Sequence, residues 1–384
     1  MATFGRTVCW PKSENLACGR AAAKNADASK GKLQAFRPVQ NQRPVLREQN
    51  QRSGKHVPTQ NKDTTAKTLS DRKEKSPSRL KENDGNDCPE TELEAFSTSH
   101  LPTGVPDIDF EDGKDPVLCA EYAKDIYNYM FSLERKWPIR ARFLSSQLTV
   151  TPSIRANVVD WLIEVHSFYD LLPETLFRSV SLLDRYLQSQ AVDKSNMQLL
   201  AVSALLVASK FEDATPVLVG DVVDVSASNC KKGDVLAMEK QILFAVDWHL
   251  ERPLPLDFIT RNYKAAEASA IEKNTALYIL ELSLTNYVIA SVAPSKQAAA
   301  ALYFALLLHG RPESCWDEKM AYYSGHTEQS LRLIVRRMAQ LMLDAPDKMQ
   351  TAAYKKFRNT KYDKVAILSA TRVEKLRKMA GRVR

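Results

Sequence analysis

Residues able to do covalent or metal chemistry are scattered along this chain. Histidines fall at 56, 100, 166, 249, 309 and 326, and cysteines at 9, 18, 88, 119, 230 and 315. No CxxC pair, HExxH, GxSxG or glycine-rich phosphate loop joins them, so the spacings that hold zinc, activate a serine or cradle a phosphate are missing. No cofactor or metal is expected, and the cysteines read as free thiols of a reducing interior. What stands out is charge in apolar surroundings. In SIRANVVDWLIEV (153–165), Arg155 and Asp160 interrupt an apolar run and Trp161 follows the acid. An inward guanidinium without a carboxylate is very costly. Asp160 lies off Arg155's face, so Asp184 in SLLDRYL is the better partner. His166, also inward, reads as a hydrogen-bonded core residue rather than a catalyst.

The elements that position these residues occupy the later part of 384 residues. Composition is globular, 44% hydrophobic and 26% charged. No run approaches the ~20 apolar residues of a membrane helix, so a soluble chain is expected, with no secretory signal. The net +8 is uneven: residues 1–81 carry 18 Lys+Arg against 6 Asp+Glu, and residues 82–115 carry 11 acids and only Lys114. The basic stretch lacks apolar periodicity and cannot bury enough surface to offset chain entropy, so 1–113 is expected to be a disordered tail.

From Asp115 the pattern turns helical. Leu118, Tyr122, Ile126 and Met130 recur every fourth residue, predicting a first helix over 116–136, within a segment 114–138. A second starts at Thr151-Pro152, with Thr as cap and Pro at the first helical position. Further helices are predicted at 174–189, 194–212, near 217–225, 232–247, 255–265, 272–290, 294–309, 315–323 and 327–344. Arg252-Pro253 breaks the series. No stretch alternates as an exposed strand does, so the class is all-α.

QLLAVSALLVASK (198–210) and QAAAALYFALLLHG (297–310) are apolar on nearly every face. Such helices belong at bundle centres. Each is third in a set of five, so the simplest architecture is a tandem pair of five-helix domains, at 150–250 and 253–350, with an extension over 351–384. On the 152 helix, Ile154, Asn157, Val158 and Trp161 share a second apolar stripe. It is either a contact site or a surface covered by the first helix.

IRANVVDWLIEV, LLDRYL, QLLAVSALLVASKFED and LAMEKQIL, in this order, resemble the first repeat of the cyclins, closest to the mitotic B type. APSKQAAAALYFALLLHG and WDEKMAYYSGHT resemble the second, to about residue 368. The box signature falls on Arg155, Asp184, Leu199, Lys210 and Glu239. The resemblance implies that Arg155 and Asp184 form an internal ion pair, and that Lys210 and Glu239 reach the backbone of a partner cyclin-dependent kinase. Phe211, Glu212 and Leu243 would surround them, with Tyr122 and Ile126 at one side. The stripe Ile154, Asn157, Val158 and Trp161 matches the family's substrate-docking patch. Asn157 departs from it, because an amide in an apolar groove weakens docking unless hydrogen-bonded.

Cyclins are not enzymes, so the resemblance implies a regulatory subunit acting at G2/M in nucleus and cytoplasm. In the tail, Lys81-Glu82-Asn83 resembles a KEN degron, and RPVLREQN (43–50) resembles a destruction box through Arg43 and Leu46. Both imply the anaphase-promoting ubiquitin ligase as partner. Ser76 in KSPSR is a phosphorylation candidate. An A-type cyclin acting in S phase is the near alternative. A TFIIB-type transcription factor uses the same repeats, but would need a zinc ribbon and a concentrated basic face. Residues 116–384 carry only about +6, so neither membrane nor direct nucleic-acid contact is expected.

Overall fold

Pro152, Pro173, Pro255 and Pro294 each begin a helix. A missing N–H costs nothing there, because that donor has no intrahelical acceptor. The computed structural model describes residues 101–226, 230–348 and 351–381; Arg43, Leu46, Ser76 and Lys81, Glu82 and Asn83 lie outside them. Among the described residues no strand occurs.

After α1 (Ala123–Lys136), the first repeat comprises α2 (Pro152–Phe168), α3 (Pro173–Ser189), α4 (Met197–Glu212), α5 (Val219–Val225) and α6 (Lys232–Ala245). The second comprises α7 (Pro255–Ala265), α8 (Ala270–Ser283), the short α9 (Tyr287–Ala290), α10 (Pro294–Leu308), α11 (Glu318–Ser324) and α12 (Glu328–Asp344). α13 (Ala352–Lys356), α14 (Val365–Thr371) and α15 (Val373–Met379) follow. α4 and α10 are buried along nearly their whole lengths, α4 between α3 and α6, α10 among α7, α8 and α12.

Three expectations are corrected. The first helix starts at Ala123, not 116: residues 112–122 make 3-10 turns, and Cys119 at φ +50 has a left-handed backbone that cannot continue an α-helix. The helix expected over 272–290 is split, because Asn286 accepts from the N–H groups of Val288 and Ile289 and starts α9 anew. Residues 101–113, expected in the disordered tail, lie on the second repeat. Val105 is buried. Asp109 grips Arg261 of α7 through two contacts at 3.1 and 2.5 Å, and Asp112 pairs with Lys264. Arg261 itself lies over Tyr127 and Tyr323, at 4.7 and 5.1 Å. Acidic composition hid this segment because its partners are cations of a distant helix.

α1 does not cover α2. Its Phe131 ring packs 5.1 Å from Phe258 of α7, and Glu134 accepts from the backbone N–H and hydroxyl of Ser295 on α10. Just past its end, the backbone oxygen of Trp137 accepts from Arg252, so α1 is tied to the linker between the repeats as well as to the second repeat.

Candidate functional site

α2 uses Arg155 and Asp160 in different ways. Thr151 caps the helix by accepting from the N–H of Ile154. Arg155 is fully buried and meets Asp184 of α3 in a fork, Nε to Oδ1 and Nη2 to Oδ2, both 2.6 Å. Its Nη1 donates to the carbonyl of Leu284 at 2.9 Å, joining the second repeat. A planar guanidinium suits this bidentate geometry. Asp160 instead accepts from the N–H groups of Thr351 and Ala352 at 3.2 and 2.9 Å, capping α13. Burial pushes its carboxyl up to about 6, against the lowering pull of the Ala352 hydrogen bond.

On the stripe beside these charges, Val158 and Trp161 are only 1% and 5% exposed. Ile154 and Asn157, half-buried, are what reaches the surface. The indole Nε1 of Trp161 is buried without a hydrogen-bond partner.

A second site lies at the end of α4. Lys210 Nζ meets Glu239 Oε1 of α6 at 2.6 Å, with the lysine side chain 45% and the glutamate 15% exposed. The pair is open to solvent, where such an interaction adds only ~0–1 kcal/mol to the fold. Phe211 and Glu212 turn the other way. The Arg178 guanidinium lies 4.9 Å from the Phe211 ring, and its Nε meets Glu212 Oε1 at 2.6 Å. Glu212, expected to face a partner, is thus held by α3, because a buried Arg178 requires a carboxylate. Leu243 is half-buried against the core. Tyr122 is exposed and Ile126 half-buried, at the start of α1.

Arg178 has a further role. Its Nη1 donates to the carbonyls of Leu250 and Arg252, while Arg185 donates to those of His249 and Val246. Burial lowers the Arg185 pKa to about 10. These arginines fix the backbone from 246 to 252. Within it, Asp247 and Trp248 both adopt left-handed φ, +52 and +60, costing of order 1 kcal/mol each. Trp248 is left 60% exposed, its ring edge-on to Phe244, itself exposed, at 6.0 Å. Leu236, about two turns earlier on α6, is a further exposed apolar side chain. Sequence reasoning missed Trp248, Phe244 and Leu236. The signal was WHLERP after α6: a tryptophan where the helix has already stopped.

A cleft of about 660 Å³ lies elsewhere, lined by Glu164, His166, Asp170, Lys355, Lys356 and Tyr362 among others. His166 Nε2 contacts the carbonyl of Leu172 at 2.9 Å, and burial lowers its pKa to about 4. It is a neutral packing residue.

Comparison with known proteins agrees with this architecture. Residues 125–251 match the model of the cyclin N-terminal domain and residues 253–371 that of the cyclin C-terminal domain. The chain is 38% identical over 278 residues to the G2/mitotic-specific cyclin-B of Arbacia punctulata, covering 71% of this chain and 68% of that protein. It is 36% identical over 290 residues to G2/mitotic-specific cyclin-B2 of Gallus gallus, covering 75% and 72%. A viral cyclin from herpesvirus saimiri shares the fold, with a TM-score of 0.50 and 21% identity, over 56% of this chain and 96% of the viral one.

Proposed function

The chain belongs to the cyclin family, among the mitotic B-type cyclins, and we propose that it is the regulatory subunit of a cyclin-dependent kinase that docks on the surface of α4, α6 and the 246–252 linker. Cyclins regulate kinases and do no catalysis of their own. The observation that carries the placement is the exposed Trp248, held out on a left-handed backbone by two buried arginines at the end of α6, the helix that also carries Glu239 of the open Lys210–Glu239 pair. Backbone strain at an exposed aromatic persists where it serves recognition.

The mechanism is population shift. A kinase is productive when its strand lysine pairs with its regulatory-helix glutamate and its activation loop is ordered. A subunit that binds only that arrangement selects it. Moving the balance from about 1:99 to 99:1 takes ~5.5 kcal/mol of differential affinity, more than one exposed ion pair provides. Leu236, Leu243, Phe244 and Trp248 give the interface an apolar centre, while Lys210 and Glu239 supply directional contacts to backbone groups. An interface of roughly 2,000 Å² is implied.

Substrate docking on α2 is proposed to be weak, since Ile154 and Asn157 alone reach solvent there and one is an amide. The tail motifs make the chain a substrate of the anaphase-promoting ubiquitin ligase, and the protein is proposed to work in nucleus and cytoplasm.

The test is to replace Lys210 and Glu239 together by Ala, precipitate the full chain from dividing cells and assay histone-kinase activity. The expected result is loss of kinase with an unchanged circular dichroism spectrum. Full activity in the precipitate would place the interface elsewhere. Changing Lys81, Glu82 and Asn83 to Ala should slow loss of the protein at mitotic exit; unchanged decay discards that degron.

A further inference from the structure

The +6 of residues 116–384 is not spread over the fold. Residues 351–384 hold eleven Lys+Arg against Asp363 and Glu374, a net of +9, which leaves residues 116–350 at −3. Part of this excess is absorbed: Lys356 meets Glu281 at 2.7 Å and Arg372 donates to the carbonyl of Leu308. Lys355 and Lys361 lie 3.6 and 3.7 Å from Glu164 and Asp170 of the first repeat, whereas Arg377 and Lys378 join a second cationic stripe. Arg332, Arg336 and Arg337 lie on the solvent side of α12, and α12 packs along α15, where Arg377 and Lys378 are exposed. Arg336 lies against Gly381, just past the end of α15: a Cβ added there would stand 3.3 Å from its Nε. The cations of the two helices therefore form one face. Arg332 and Arg377 have acid partners within their own helices, Glu328 and Glu374. Arg336, Arg337 and Lys378 have no ion pair among the described residues.

We infer that this α12–α15 face binds the phosphate backbone of nucleic acid, without reading base sequence. Its cations are spread over two helices, which fits a polyanion of regular charge better than one bound phosphate group. Arginine forks match phosphate oxygens in pairs, and each neutralised phosphate releases condensed counterions. Leu333 is the one large apolar side chain exposed on α12, too little to anchor in a membrane or seat an apolar peptide. The average charge of the folded part argued against nucleic acid, because an average hides the unpaired cations of α15 lying beside the arginines of α12. The face uses other helices than the kinase surface, so the two contacts are compatible and separately testable.

The experiment uses the full chain and a fluorescein-labelled DNA duplex of random sequence, followed by anisotropy from about 50 to 300 mM salt. The variant is R336E/R337E/R377E/K378E. Its salt slope on log–log axes should be shallower than the parent's by about 3 to 4, and its Kd at least about tenfold weaker near 100 mM salt. Kinase activation should be unchanged. The basic tail is a second source of charge, so the comparison is repeated with Lys73, Lys75 and Arg79 reversed in both chains; the difference should persist. If the quadruple variant loses helicity, R337E/K378E replaces it, with a slope change of about 2. Equal slopes and affinities in parent and variant overturn the proposal. So does a variant that loses anionic phosphatidylserine vesicles but keeps the duplex.

Discussion

Replacing Asp184 by Asn should cost the fold 3 kcal/mol or more. The carboxylate takes two N–H bonds of 2.6 Å from Arg155, a side chain with no solvent exposure. Asparagine supplies one oxygen, but turns an NH2 group toward the second guanidinium N–H and removes the countercharge. The remaining partners are the Leu284 carbonyl at 2.9 Å and the Phe143 ring 5.9 Å away, neither carrying a formal charge. Stranding a buried charge in this way costs about 3–5 kcal/mol, against a total stability typically of about 5–15 kcal/mol. With a urea dependence of about 2–3 kcal/mol per molar, the unfolding midpoint read by circular dichroism should fall by ~1 M or more. Arg155→Met combined with Asp184→Leu removes both charges and should recover most of the loss, giving a coupling energy of about 2 kcal/mol or more. A single Asp184→Asn variant losing less than ~1 kcal/mol, or a double variant as unstable as the two single losses added, would refute the reasoning.

Trp248→Ala should weaken kinase binding by about 2 kcal/mol, some 30-fold in Kd by titration calorimetry, while moving the urea midpoint little because the ring is mostly solvent-exposed; a larger stability change than binding change would make it a core residue. Acid should destabilise the fold through His166. Burial lowers its pKa from 6.5 to about 4, so the unfolded chain takes up a proton that the folded chain refuses. The stabilisation is complete above pH 6.5 and fades as pH falls toward 4, about 2 kcal/mol being gone at pH 5. His166→Gln should therefore lose less stability than the parent between pH 7 and 5, and parallel losses would remove His166 as the cause.

The helices were legible because proline, cap residues and apolar periodicity act locally, and those of α2, α4 and α10 agree with one another. The Arg155–Asp184 fork was legible for a different reason: a buried guanidinium has few affordable solutions. α3 was harder. Its Arg178 and Arg185 drew no expectation, yet both are buried, each satisfied by a residue at least 34 positions away. The Trp248 projection had a local sign, a tryptophan just past the end of α6, but the left-handed backbone at two non-glycine residues that holds it out goes with those distant arginines and shows in no local pattern. The clasp of residues 105–112 on α7 was missed likewise, since composition registers the acids but not the cations waiting for them.

The Arg155 bond to Leu284 sets an order of events during synthesis. As the polypeptide leaves the ribosome, α2 and α3 can pair long before residue 284 emerges, but one guanidinium N–H must wait for it. Asp160 waits longer still, for Thr351 and Ala352. A truncated nascent product would thus carry two unfinished polar contacts on α2, which only the finished chain can close.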